Sequence, residues 1–258
     1  MSEDESASGA SELAVTEAAI SERLDRVYDP ELDRSVVELQ YVEDVTIDDG
    51  HVTVHFVLPT AWCSPAFAWM MATGIREEVG ALAGVEEVSV QLLDHMHEAE
   101  INRGVNEDLP FEEVFDDAED GIEDVRRVLD EKARLARQYH AITALLDAGL
   151  DPEQIVGVTP AELHPMDDHV AIYLHDESVG VLAPAEPITR YLERARSVGV
   201  ASDPEAPMFA SADGTPIEPS AFDTVRRHSR LAWSNVSGQA GICASLHEAR
   251  NGVQLKEV

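Results

Sequence analysis

Positive charge is scarce in this chain. Its 258 residues carry 18 Lys and Arg against 51 Asp and Glu, a formal net charge of −33. No basic stripe is available to displace the counterions of a phosphate backbone, so direct binding of DNA or RNA is disfavoured. Cysteine is scarcer still, and two cysteines cannot form a disulfide framework. The sequence has neither a signal-peptide pattern nor an apolar run long enough to span a bilayer. These absences predict a cytoplasmic protein with reduced thiols and no membrane partner. Also missing are a phosphate-binding glycine loop, a dinucleotide fingerprint, a nucleophile-elbow serine and any pair of cysteines two residues apart. No enzyme class is signed, and the expectation is a protein that is not an enzyme.

The acidity that is present runs along the whole length, which makes it a property of the surface. Its economical explanation is a halophilic source. In molar salt the Debye length falls to about 3 Å, so self-repulsion is screened while carboxylates keep the surface hydrated. An acidic mimic of nucleic acid is the alternative. Residues 1–12, polar and acidic, read as a disordered tail.

The remainder divides into three parts. In residues 13–93 the order is helix, strand, strand, helix, strand. Apolar residues at Leu13, Ile20, Leu24 and Val27 give the first helix, with Ser11 or Thr16 as cap. Tyr41–Ile47 and His51–Leu58 alternate as strands, joined by Asp48-Asp49-Gly50, because Asp-Gly supplies the positive φ angles of a tight hairpin. A helix is expected over Cys63–Leu82 and a third strand over Glu86–Leu92. This is an α+β sandwich: a three-stranded mixed sheet with two helices. Residues 94–121 read as an acidic linker, since ten of the eighteen residues from Glu107 to Asp124 are Asp or Glu. Residues 122–258 read as a mostly helical extension. It has a long helix over Ile122–Ala148, a second start at Asp151-Pro152, and a hairpin around His175-Asp176. Further helices are expected over Pro187–Val198, Pro219–Arg230 and Gly241–Asn251.

The residue best placed for chemistry is Cys63, between the end of a strand and the start of a helix. Backbone N–H groups and the helix dipole favour a thiolate there, although a packed cysteine is the plain alternative. His95 and His97 flank one residue of an extended segment and are candidate metal ligands, as is Cys243 if the fold brings it near Cys63. Asp29-Pro30-Glu31 recurs as Asp151-Pro152-Glu153 and Asp203-Pro204-Glu205. Three copies mark it as a helix-start device, with the aspartate as cap and proline in the first turn.

Taken together, Val27-Tyr28-Asp29-Pro30-Glu31, Val36-Val37-Glu38-Leu39, the run from Val52 to Thr60, Cys63, and Leu82 to Val88 resemble a known pattern. It is that of the metal–sulfur (iron–sulfur) cluster assembly family typified by PaaD, the phenylacetate-oxygenase assembly protein. The resemblance covers about residues 13–93. It implies a maturation factor that carries or inserts an iron–sulfur cluster, held transiently, into a client apoprotein such as an oxygenase. Other cluster-assembly proteins are implied partners. Cys63 carries over as the cluster or metal ligand, and Asp29, Glu31 and Thr60 as the supporting turn. Two departures stand out: Gln40 where the family has glycine after leucine, and Ser64 between the cysteine and Pro65. One thiolate cannot hold a cluster, so a homodimer or a ligand-donating partner is also implied. The alternative is a metal-free adaptor that binds a client through its helical half. The stretch Tyr191–Gly252 is also similar to part of a tyrosine recombinase, through Asp213-Gly214 and His247-x-x-Arg250. No tyrosine follows Arg250, so that nucleophile is missing.

Overall fold

The computed structural model describes residues 15–115, 121–174 and 179–254. The expected acidic tail, the end of the expected linker and the His175-Asp176 turn fall outside these residues. The described chain forms two compact units. One comprises the residues up to Asp29, Arg34 to 115, and those from Leu246. The other comprises Pro30–Asp33 and 121 to Ser245.

The first unit opens with helix α1 (Glu17–Leu24), whose cap Thr16 accepts from the Ala19 amide. Two short strands follow, β1 (Tyr28–Asp29) and β2 (Arg34–Ser35), paired antiparallel. Strands β3 (Val42–Asp48) and β4 (His51–Val57) form the expected hairpin. Asp49 (φ 46°) and Gly50 (φ 86°) both take the positive φ that a two-residue turn demands. Helix α2 (Pro65–Gly80) then crosses over to β5 (Glu87–Leu93), which pairs parallel with β4. The sheet order is β3-β4-β5, a mixed three-stranded sheet as expected. Val52, Val54 and Phe56 of β4, Val90 and Leu92 of β5, and Met71, Ile75 and Val79 of α2 are all buried in its core. Each such side chain contributes about 1.5–3 kcal/mol of burial.

Two expectations are corrected here. Helix α2 begins at Pro65 rather than Cys63. Ser64 precedes proline and takes an extended ψ of 129°, since the proline ring crowds a helical conformation there. The stretch expected as a linker contains helices α3 (Glu98–Asn106) and α4 (Phe111–Val114). Ile101 and Val105 of α3 are buried, and Asn102 and Asn106, four apart on one face, grip the outer side of β5. Asn102 accepts from the Leu92 amide at 2.8 Å and donates to the Leu92 carbonyl at 3.0 Å. Asn106 does the same for Val90, at 2.9 and 2.8 Å. Two side-chain amides thus do the hydrogen bonding of a fourth strand. Gly104, between them, lies against Trp69: a Cβ there would stand 2.4 Å from the indole ring.

The second unit is built on helix α5 (Ile122–Asp147), ended by Gly149 at φ 100°. Helix α6 (Pro152–Gly157) follows with a full capping box between Asp151 and Gln154. A three-stranded antiparallel sheet comes next, β6 (Leu163–Pro165), β7 (His169–Leu174) and β8 (Val179–Pro184), of which sequence periodicity gives the last two. Helix α7 (Ala185–Ser197) packs on α5. A short turn at Pro219–Ala221 leads into α8 (Phe222–Gln254). The two helices expected over 219–230 and 241–251 are therefore one; Gly238 and Gly241 do not interrupt it. Ile142, Leu145, Ile172, Ile188, Phe209 and Phe222 lie in the unit's core. Arg134, buried, donates to the carbonyls of Ala210 and Ser211. Asp33 is gripped by Arg137 (2.6 and 2.9 Å) and by Arg194 (3.1 Å).

Candidate functional site

Cys63 sits where the parallel strands β4 and β5 end, on the five-residue stretch between Leu58 and Ser64. Sheet ends of this kind gather loops and are where open α/β sheets bind ligands. Pro59, with no N–H to donate, ends the ladder of β4. Thr60 then organises the turn. Its hydroxyl accepts from the Trp62 amide (3.2 Å) and lies 3.5 Å from the Cys63 sulfur, while its carbonyl accepts from the Cys63 amide (3.4 Å). The thiol is half-buried, and Trp62 beside it is 76% exposed.

The loop leaving β5 braces this turn from the other side. The Met96 amide donates to the Ala61 carbonyl at 3.1 Å. His95, only 7% exposed, places Nε2 at 2.9 Å from the Cys63 carbonyl, and its Nδ1 accepts from the His97 amide at 3.2 Å. A nitrogen that accepts carries no proton, so Nδ1 is bare and Nε2–H is the donor to Cys63. Burial is the largest influence on this imidazole and pushes its pKa below the usual value. His95 is held as the neutral tautomer that the turn needs.

Of the residues singled out in the sequence, Thr60, Cys63 and His95 are brought together. Both ring nitrogens of His95 already have backbone partners, so it acts here as a brace. His97 lies at the start of α3, with its ring edge-on to Phe115 at 5.5 Å. Asp29 is buried, and its carboxylate accepts from the Tyr41 hydroxyl at 3.4 Å. It starts no helix: Pro30 to Asp33 is the turn between β1 and β2. Glu31 and Cys243 belong to the second unit, where Gln239 donates to Glu31 at 3.4 Å. No disulfide joins Cys63 and Cys243. Among the described residues, no group of three or more His, Cys, Asp or Glu is placed to hold a metal ion.

Sequence reasoning missed Asp94 and the working partners of Arg250. The guanidinium of Arg250 donates to the Leu58 carbonyl (2.6 Å) and to the Asp94 carboxylate (2.5 Å). One turn earlier, His247 is buried against Tyr41, ring centroids 5.9 Å apart. The pair His247-x-x-Arg250 was visible in the sequence, but nothing local tells which surface it meets.

The site is thus a single thiol on a hydrogen-bonded turn at the end of a small mixed sheet, with the Thr60 hydroxyl 3.5 Å from the sulfur. Residues 17–90 match the family model for "Iron-sulfur cluster assembly protein". The uncharacterized protein MJ1129 of Methanocaldococcus jannaschii is 32% identical over 94 residues, which span 36% of this chain and 97% of that relative. Through its first unit, the chain belongs to the iron–sulfur cluster assembly family.

Proposed function

We propose that the protein is a maturation factor that carries or inserts a metal–sulfur cluster into a client protein, with Cys63 as the ligand to that cargo. The observation that supports this most is the Cys63 turn itself. Its thiol is accessible, yet the backbone on both sides is anchored by Thr60, His95 and Met96. Clusters take four protein ligands, and Cys63 supplies one, so the others come from a second copy, an assembly partner or the client. Exposed Trp62 and Met96 beside the thiol offer apolar surface to that partner. The reading is of a cytoplasmic carrier rather than an enzyme, of the PaaD-like kind, serving an oxygenase. Among the described residues, no helix is long and apolar enough to cross a membrane.

A second reading, a metal-free client adaptor, draws on the second unit, which has a hydrophobic core of its own. One experiment separates the two. The protein is purified anaerobically in molar salt, supplied with iron and sulfide, and compared with Cys63→Ser by visible absorption and iron content. The carrier reading expects a cluster spectrum in the natural protein that is lost in the variant, with the fold unchanged. Equal iron in both, or none in either, would overturn it and favour the adaptor.

A further inference from the structure

The two loops that build the cysteine turn leave the sheet side by side. The last ladder pair of the parallel strands is Val57 with Leu93. One residue further on stand Leu58, five before Cys63, and Asp94, immediately before His95. Arg250, near the end of α8, binds both, one guanidinium nitrogen on the Leu58 carbonyl and another on the Asp94 carboxylate. Its fork closes the pair of loops one step beyond the last pair of the strand ladder. Asp94 takes a positive φ of 55°, and its amide is held by the Glu98 carboxylate at 2.9 Å, so the loop is fixed on both sides of this contact.

We infer that Arg250 is a positioning residue for Cys63. By clamping Leu58 to Asp94 it holds the β4 and β5 loops in the register that lets His95 reach the Cys63 carbonyl and Met96 reach that of Ala61. Charge-assisted, forked bonding of this kind supplies geometric specificity as well as energy. The side chain of Arg250 is 19% exposed and that of Asp94 71%, so the ion pair lies open to solvent while the bond to the Leu58 carbonyl is partly shielded. His247, buried against Tyr41 on the same helix, fixes the helix end that delivers it. The C-terminal segment, far outside the family match, therefore completes the cysteine site of the first unit. This inference rests on the carrier reading for its functional meaning, but its geometry can be tested alone.

The test uses the full chain. Iodoacetamide labelling followed peptide by peptide reports Cys63 separately from Cys243, and hydrogen exchange reports the Met96 amide. In Arg250→Ala, Cys63 labelling and Met96 exchange are each expected to rise about tenfold, the effect of losing a charge-assisted bond. The Cys243 rate should stay constant, and Arg250→Lys should restore part of the difference. Should Arg250→Ala fail to fold, Asp94→Asn carries the same expectation. A folded variant with unchanged Cys63 labelling and unchanged Met96 exchange would overturn the inference. Iron and sulfide loading of the same proteins separates the two ideas. If the natural protein takes no cluster while the labelling difference stands, the carrier reading fails and Arg250 keeps its role. If the natural protein loads but labelling is insensitive to Arg250, the reverse holds.

Discussion

His95 donates to the carbonyl of Cys63 through Nε2 while its Nδ1 accepts from the His97 backbone, so one imidazole ties the thiol's turn to the start of α3. This bridge requires the neutral ring. A proton on Nδ1 would set two donors face to face at 3.2 Å. Because burial lowers the folded pKa, the contribution of His95 to stability is complete above the unfolded value, about 6.5. It is lost progressively as the pH falls from there through the folded pKa, where the unfolded chain binds the proton first. Met96 amide protection should weaken with acid over that window in the natural protein. His95→Gln, which retains a donor but does not titrate, should show a flatter dependence.

Asn102 and Asn106 complete the hydrogen bonding of β5, so replacing either leaves one strand N–H and one C=O without a partner. Asn106→Leu is expected to cost about 1–3 kcal/mol, and the double substitution more, read from urea midpoints. The double variant also uncovers a strand edge and should self-associate, visible as a larger species by size-exclusion chromatography.

Gly104 is kept bare by Trp69. Gly104→Ala should cost about 1–3 kcal/mol through overpacking, since the added carbon falls within the ring's van der Waals envelope. Trp69 must shift to accommodate it, and the near-ultraviolet circular dichroism of the folded protein should change.

The ion pairs of Asp33 differ in kind from those on the surface. Arg137 and Asp33 are both buried, at 8% and 7% side-chain exposure. Asp33→Asn retains a residue that tolerates the observed φ of 51° but removes the charge facing two arginines. The expected loss is about 3–5 kcal/mol. Arg34→Ala, which breaks the exposed Arg34–Glu38 pair, should cost about 0.5 kcal/mol or less in the same denaturation assay.

The parts of this fold that were legible in sequence are those governed by short-range rules. Alternation located β3 and β4, and Asp49-Gly50 located the hairpin between them. The Asp-Pro-Glu triplets show where such rules stop. At Asp151 the carboxylate caps α6, at Asp203 it accepts from Glu205 in a turn, and at Asp29 it receives the Tyr41 hydroxyl. A tripeptide supplies an acceptor and a fixed φ; its surroundings decide the use. Helix α3 was hidden by carboxylates, although Asn102 and Asn106 at a spacing of four were a signal of a shared face. At the site, Thr60 and Cys63 lie within one turn and could be paired from sequence. Arg250 could not, because its partners Leu58 and Asp94 are more than 150 residues away.

The asparagine clasp on β5 also determines how another molecule can approach this sheet. With that flank occupied, growth by strand addition is left to β3, which has no neighbouring strand on its outer side among the described residues. There the ladder is broken by a bulge between Val42 and Asp44, and Glu43, Asp44 and Asp48 crowd it with negative charge. Both long margins thus discourage a visiting strand. The short end of the sheet, where Trp62 and Met96 are exposed on the two loops of the cysteine turn, is the margin left open.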